Sequence, residues 1–187
     1  MSIPIPTLII GGVSISPTRH LPSTAFTAVA KKSLSFQRSQ NGKLYSQRNY
    51  EKYSVKVQGL SQTLYEDLRY EYCQDAFIDL YSIANRKELF IANGATSQFL
   101  TSRRIRTDDG NTLATTENPV GTVVSATYAV ATGGTQGLVT ITGSTPSNGS
   151  IIAVKYFPII NGQIVEMDSD YDWINDTESW SLRFEEA

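Results

Sequence analysis

Trp180-Ser181-Leu182-Arg183-Phe184-Glu185-Glu186-Ala187 is the stretch on which the fold class turns. Trp180, Leu182 and Phe184 alternate with Ser181, Arg183 and Glu185. A period of two is the signature of a half-buried β-strand. Burying side chains of this size is worth about 1.5–3 kcal/mol each. The segment is therefore expected to dock on a sheet and close its core, as a structural element and not a frayed tail.

The same alternation recurs upstream. Thr7–Ile10 and Val13–Ser16 flank Gly11-Gly12, and Leu34 and Phe36 alternate with Ser33, Ser35 and Gln37. Tyr53, Val55 and Val57 alternate with Ser54, Lys56 and Gln58. Val139 and Ile141 share one strand face, and Ile152, Val154 and Tyr156 share another. Asn41-Gly42 and Asn161-Gly162 are hairpin signals, because both residue types tolerate positive φ. Only one segment changes period. Leu60, Leu64, Leu68 and Tyr72 recur every four residues, and Thr63 and Glu66 have capping-box spacing. That pattern predicts a helix from Gln62 to Gln74 lying on a sheet. The expected fold is mainly β (α+β): a β-sandwich or barrel with one packed α-helix. The whole chain, 1–187, reads as a single β-rich domain. Its Gly-, Thr- and Ser-rich part marks an inserted or distal β lobe at about 108–160.

Composition narrows the function classes. The chain is 40% hydrophobic, enough to fill a core. Its net charge is −2 with no basic stripe, so there is no electrostatic footprint for nucleic acid. Arg103, Arg104 and Arg106 form the one basic knot, read as a solvated strand face. A single cysteine, Cys73, permits no internal disulfide and is expected as a small buried packing residue in the helix. The first residues lack the basic region of a signal peptide, and no stretch approaches the roughly 20 apolar residues of a membrane span. Synthesis and folding in a cytoplasm are expected.

The chemical inventory is thin. The one histidine, His20, lies in a proline-flanked loop and reads as a surface or packing residue, not a catalytic base. Usual zinc sites need several His or Cys ligands, which the chain lacks. Asp168, Asp170 and Asp172 alternate as calcium ligands would. The EF-hand pattern then requires glycine where Trp173 stands and glutamate where Ser179 stands. An Asp-rich turn before a strand is the plainer reading, and no metal or cofactor is expected. Glu66, Asp67, Glu71 and Asp75 lie close together, as a two-carboxylate glycosidase would need, but on the outer face of the predicted helix. Ten tyrosines and two tryptophans could line a sugar-binding surface. The residues thus describe a non-enzymatic module, with a carbohydrate- or receptor-binding β-sandwich as the alternative.

One run of residues resembles a known family. It comprises Tyr128-Ala129-Val130, a glycine turn, Leu138-Val139-Thr140-Ile141, Pro146, Gly149-Ser150, Ile152-Ala153-Val154 and Tyr156-Phe157. This succession is similar to one found in tailed-bacteriophage tail and baseplate proteins. The ending Trp180–Glu186 likewise resembles the closing strand of distal-tail or tail-tube-like proteins. The resemblance implies a virion structural subunit of the tail tip, the baseplate or the connector from tube to baseplate. It also implies a homo-oligomeric ring, often hexameric, assembled in the host cytoplasm with other tail proteins. A head-tail joining or decoration protein is a close variant. Under this reading Trp180, Leu182 and Phe184 close the core. The hairpin around Asn41 and Gly42 makes contacts between subunits, because an exposed strand edge can pair across copies.

Overall fold

The computed structural model describes residues 6–15, 26–38, 44–60, 62–73, 76–108, 111–172 and 177–187. The chain is mainly β, with one short helix among the described residues. The early elements are β1 (Leu8–Ile10), β2 (Val13–Ile15), β3 (Phe26–Arg38), β4 (Leu44–Leu60), α1 (Gln62–Cys73) and β5 (Ile78–Tyr81). Short strands follow: β6 (Arg86–Ile91), β7 (Gln98–Leu100), β8 (Arg104–Ile105), β9 (Thr107–Asp108), β10 (Asn111–Thr112), β11 (Ala114–Glu117) and β12 (Val123–Val124). The last are β13 (Ala126–Val130), β14 (Gly137–Ile141), β15 (Ile151–Tyr156), β16 (Pro158–Asp172) and β17 (Thr177–Glu186).

These elements gather into two compact units, Ile9–Asp79 with Asn161–Ala187, and Met1–Leu8 with Leu80–Ile160. Besides Met1–Leu8, the second unit comprises the continuous stretch Leu80–Ile160. Pairing ties this stretch together: β6 is matched to β15 along its whole length, from Arg86 opposite Tyr156 to Ile91 opposite Ile151.

The unit containing β17 is built on a sheet of order β2-β1-β5-β16-β17-β4-β3. Strand β17 lies between β16 and β4 and is antiparallel to both. Trp180, Leu182 and Phe184 are buried, with Phe184 opposite Ile164 and Val55, and Leu182 opposite Met167 and Val57. The alternate residues form polar rows across the other face. Ser181 stands between Asp168 and Gln58, and Arg183 between Glu166 and Lys56. Helix α1 turns Leu68 into this core and leaves Glu66, Asp67, Arg69 and Tyr70 exposed. Cys73 is exposed, not buried. At about 100° per residue it sits some 140° around the helix from Leu68, off the apolar stripe.

The hairpin signal at Asn161-Gly162 does not make a turn, because β16 runs straight through it and Gly162 pairs with Glu186. Glycine is needed there for a different reason. A Cβ on Gly162 would lie 2.0 Å from the Glu185 carbonyl oxygen, well inside contact distance.

In the other unit, a four-stranded sheet β12-β11-β15-β6 packs with the three-stranded sheet β13-β14-β7. The core between them contains Phe99, Ile105, Val139, Ile141, Ile152, Val154 and Tyr156. Phe90 joins Phe99 with ring centroids 5.6 Å apart. Gly137 is a second close approach: a Cβ there would meet Ile105 and the Thr101 hydroxyl at 2.6 Å. The Thr101 hydroxyl instead accepts the Gly137 N–H at 3.1 Å and donates to the Arg103 carbonyl at 2.7 Å.

Gly162→Ala is expected to lower stability by about 2–3 kcal/mol, because the obstacle is backbone and cannot swing away. Urea unfolding followed by tryptophan fluorescence checks this. A midpoint unchanged from the wild type would show that the strands do not approach as closely as described.

Candidate functional site

The residues singled out in the sequence are dispersed by the fold. Trp180, Leu182 and Phe184 are buried in a core, and Trp180 also lines the floor of a depression beside Asp168 and Asp170. The Trp180 indole N–H is buried without an acceptor, and such an orphaned donor costs about 1–3 kcal/mol. Asn41 and Gly42 lie outside the described residues, as do His20 and Trp173.

Asp168, Asp170 and Asp172 form part of β16 and not an Asp-rich turn, each opposite a residue of β17. Alternate residues of an extended strand are spaced roughly 6.8 Å apart. Asp168 and Asp170 point into solvent, where they border a shallow depression of about 380 Å³. Among the described residues no group of three His, Cys, Asp or Glu gathers closely enough to hold a metal ion. Among them also, no helix is long and apolar enough to cross a membrane. Glu66 and Asp67 are exposed on α1.

The basic knot departs from the expected solvated face. Arg106 is completely buried. Its guanidinium donates to the Tyr81 and Ser82 carbonyls, at 3.0 Å each, and to the Thr7 carbonyl, and it stacks 5.7 Å from the Tyr81 ring centre. A buried charge is tolerated only when hydrogen-bonded, and the planar fork of arginine reaches several carbonyls at once. Arg103 and Arg104 are half-buried. The chain leaves the extended state between β7 and β8, so the alternation of a solvated strand face does not carry through to Arg106.

Sequence reasoning also missed a polar network under β6. The Glu88 carboxylate accepts the Ser102 N–H at 2.9 Å, the Ser102 hydroxyl, the Tyr156 hydroxyl at 2.6 Å and Arg86 Nε at 2.7 Å. Burial raises its pKa, but the Ser102 and Tyr156 hydrogen bonds and the Arg86 charge outweigh burial and hold it below the usual value. Burial and the neighbouring carboxylate push the Tyr156 hydroxyl well up. A carboxylate so satisfied has little tendency to take a proton at neutral pH, and a phenol so held does not release one. Both are poor acid–base catalysts and good cross-sheet ties. No local pattern marks this group, since Glu88 and Tyr156 are 68 residues apart in the chain.

What the fold does expose is backbone. Strand β17 reaches along β4 only from Leu60 to Ser54. Beyond that point β4 continues to Leu44, paired, among the described residues, with β3 alone through Lys31↔Lys52 to Arg38↔Leu44. This makes a two-stranded arm roughly 27 Å long. An isolated two-stranded ribbon is marginal in water. Comparison with known proteins finds no matching family model and no similar curated protein.

The Glu88 network sets a pH dependence. Its folded pKa is lowered, so its stabilisation is complete above the ordinary carboxylate range and is lost as the pH falls through the depressed folded value. Thermal melts between about pH 6 and pH 3 should show a steep acid limb, which Glu88→Gln flattens while lowering the melting temperature at neutral pH. An acid limb unchanged by the substitution would mean that Glu88 is not held ionised by these partners.

Proposed function

We propose that this chain is a structural subunit of a bacteriophage tail, placed at the tail tip, in the baseplate or between tube and baseplate. In this reading it assembles into a homo-oligomeric ring, with six copies as the form the family resemblance suggests. It acts by geometry and not by chemistry: repeated copies hold a platform or channel and bind neighbouring tail proteins in the virion.

The observation that carries this reading is the arm of β3 and β4. Some eight residue pairs extend past the third strand of their sheet, and a ribbon of that kind gains most from a strand supplied by a neighbour. Ring closure requires a head-to-tail contact, in which one patch of a subunit meets a different patch of the next. An arm that reaches beyond its own sheet suits such a contact. The polar rows of Lys56, Gln58, Glu166, Asp168, Ser181 and Arg183 fit a face that stays wet in the assembly. Their one close ion pair, Glu166 with Arg183 at 3.1 Å, is exposed and contributes little to stability.

Replacing residues 34–49 by Asn-Gly joins Ser33 to Tyr50, already opposite each other, through a two-residue turn. The shortened protein is expected to fold, with an unchanged circular dichroism signature for its core, and to sediment as a species smaller than the ring. The full chain is expected to form rings under negative stain. A full chain that sediments only as a monomer, and is absent from purified particles, would contradict the reading.

A further inference from the structure

We infer that the unit of residues 80–160 carries a second, two-fold interface, at which β6 of one copy pairs antiparallel with β6 of another. Three observations meet on this strand.

The first is an open edge. The Ala92 N–H donates to the Ser150 carbonyl at 2.9 Å, and the Gly149 N–H donates to the Ala92 carbonyl at 2.8 Å. With the register of β6 on β15, this turns the backbone groups of the even-numbered residues toward β15. Those of Lys87, Leu89 and Ile91 point the other way. Among the described residues strand β6 ends its sheet, so these three N–H and three C=O groups face an edge that no described strand fills.

The second is apolar surface on the same residues. Ile91 is 77% exposed and Leu89 61%. Ile151, opposite Ile91, is 49% exposed. Val120, 45% exposed, lies beside Ile151 through a backbone hydrogen bond, whereas the row of Leu89 runs on through Ala153 and Glu117, both buried. Leu89 and Ile91 border the open edge itself, so antiparallel pairing sets these two side chains of each copy beside those of the other.

The third is self-complementarity, which selects a second copy as the occupant. A two-fold axis at Leu89 sets Leu89 against Leu89 and Ile91 against Lys87 of the other copy. Only this register uses all six orphaned backbone groups of each strand. It lays the methylene stem of Lys87 over Ile91 and keeps the two Lys87 charges roughly 14 Å apart. Glu117, hydrogen-bonded to Lys155 and also in the field of Lys87, offsets the basic charge of the face. The sequence carries a trace of this: Leu89-Phe90-Ile91 is apolar on both faces of a strand. Phe90 is the residue that packs on the core.

Cysteine cross-linking tests the register. With exposed Cys73 replaced by serine, Leu89→Cys places two thiols on directly opposed residues, whose Cα atoms are about 5.5 Å apart, within disulfide reach. Ile91→Cys places its two thiols roughly 14 Å apart. Mild oxidation is expected to give at least about tenfold more covalent dimer from Leu89→Cys than from Ile91→Cys. The shortened-arm protein should cross-link equally well, because this pairing does not depend on ring formation. A separate variant, Leu89→Asp, should abolish concentration-dependent pairing in sedimentation while leaving the fold intact. Equal cross-linking at both positions, no cross-linking at Leu89→Cys, or pairing unaffected by Leu89→Asp would each overturn the inference. If ring formation fails while Leu89→Cys still cross-links, the two-fold contact stands and the ring reading falls.

Discussion

Strand β17 is hydrogen-bonded on both sides, and the unit around it follows from that constraint. A strand between two others must satisfy both neighbours with one register. Here Leu182 meets Met167 on one side and Val57 on the other, while Phe184 meets Ile164 and Val55. One face is thereby committed to the core and the other to water, because a one-residue slip would reverse every side chain. The close approach of Gly162 to Glu185 helps to fix this register, since no larger residue fits at the crossing.

The unit of residues 80–160 depends on polar ties as much as on its apolar core. Arg106 gathers the carbonyls of Thr7, Tyr81 and Ser82. Glu88 gathers Ser102, Tyr156 and Arg86. Short strands of two to six residues make few ladder hydrogen bonds each. Buried charged groups with several partners each supply connections that the ladders do not. The cost is that loss of any one partner strands a charge in a dry place.

Period-two alternation made β17, the centre of β4, β14 and β15 legible in the sequence, because each turns one row of large apolar side chains into a core. The helix was legible from Leu68 and its neighbours, with its start at Gln62. Arg106 was not, because a buried arginine and a solvated one look alike until the carbonyls around it are placed. Asn161-Gly162 misled because glycine serves both turns and close backbone crossings, and only the partner strand decides between them. Asp168, Asp170 and Asp172 resembled a loop in composition, yet pairing with β17 holds them extended. The open edge of β6 needed the register of β15 before its unpaired groups could be assigned. These are all effects of partners distant in the chain.

Under the proposed reading, function resides in what the described residues of each unit leave unpaired: the long ribbon of β3 and β4 in one, and the edge of β6 in the other. Amide hydrogen exchange compares the two states most directly. In the dissociated protomer, β17 and residues 54–60 of β4 should exchange slowest, while residues 31–38 and 44–52 exchange rapidly. On assembly the amides of the arm should become protected, with β17 little changed. An arm already as protected in the free protomer as in the assembly would contradict the claim that it is completed by a neighbouring copy.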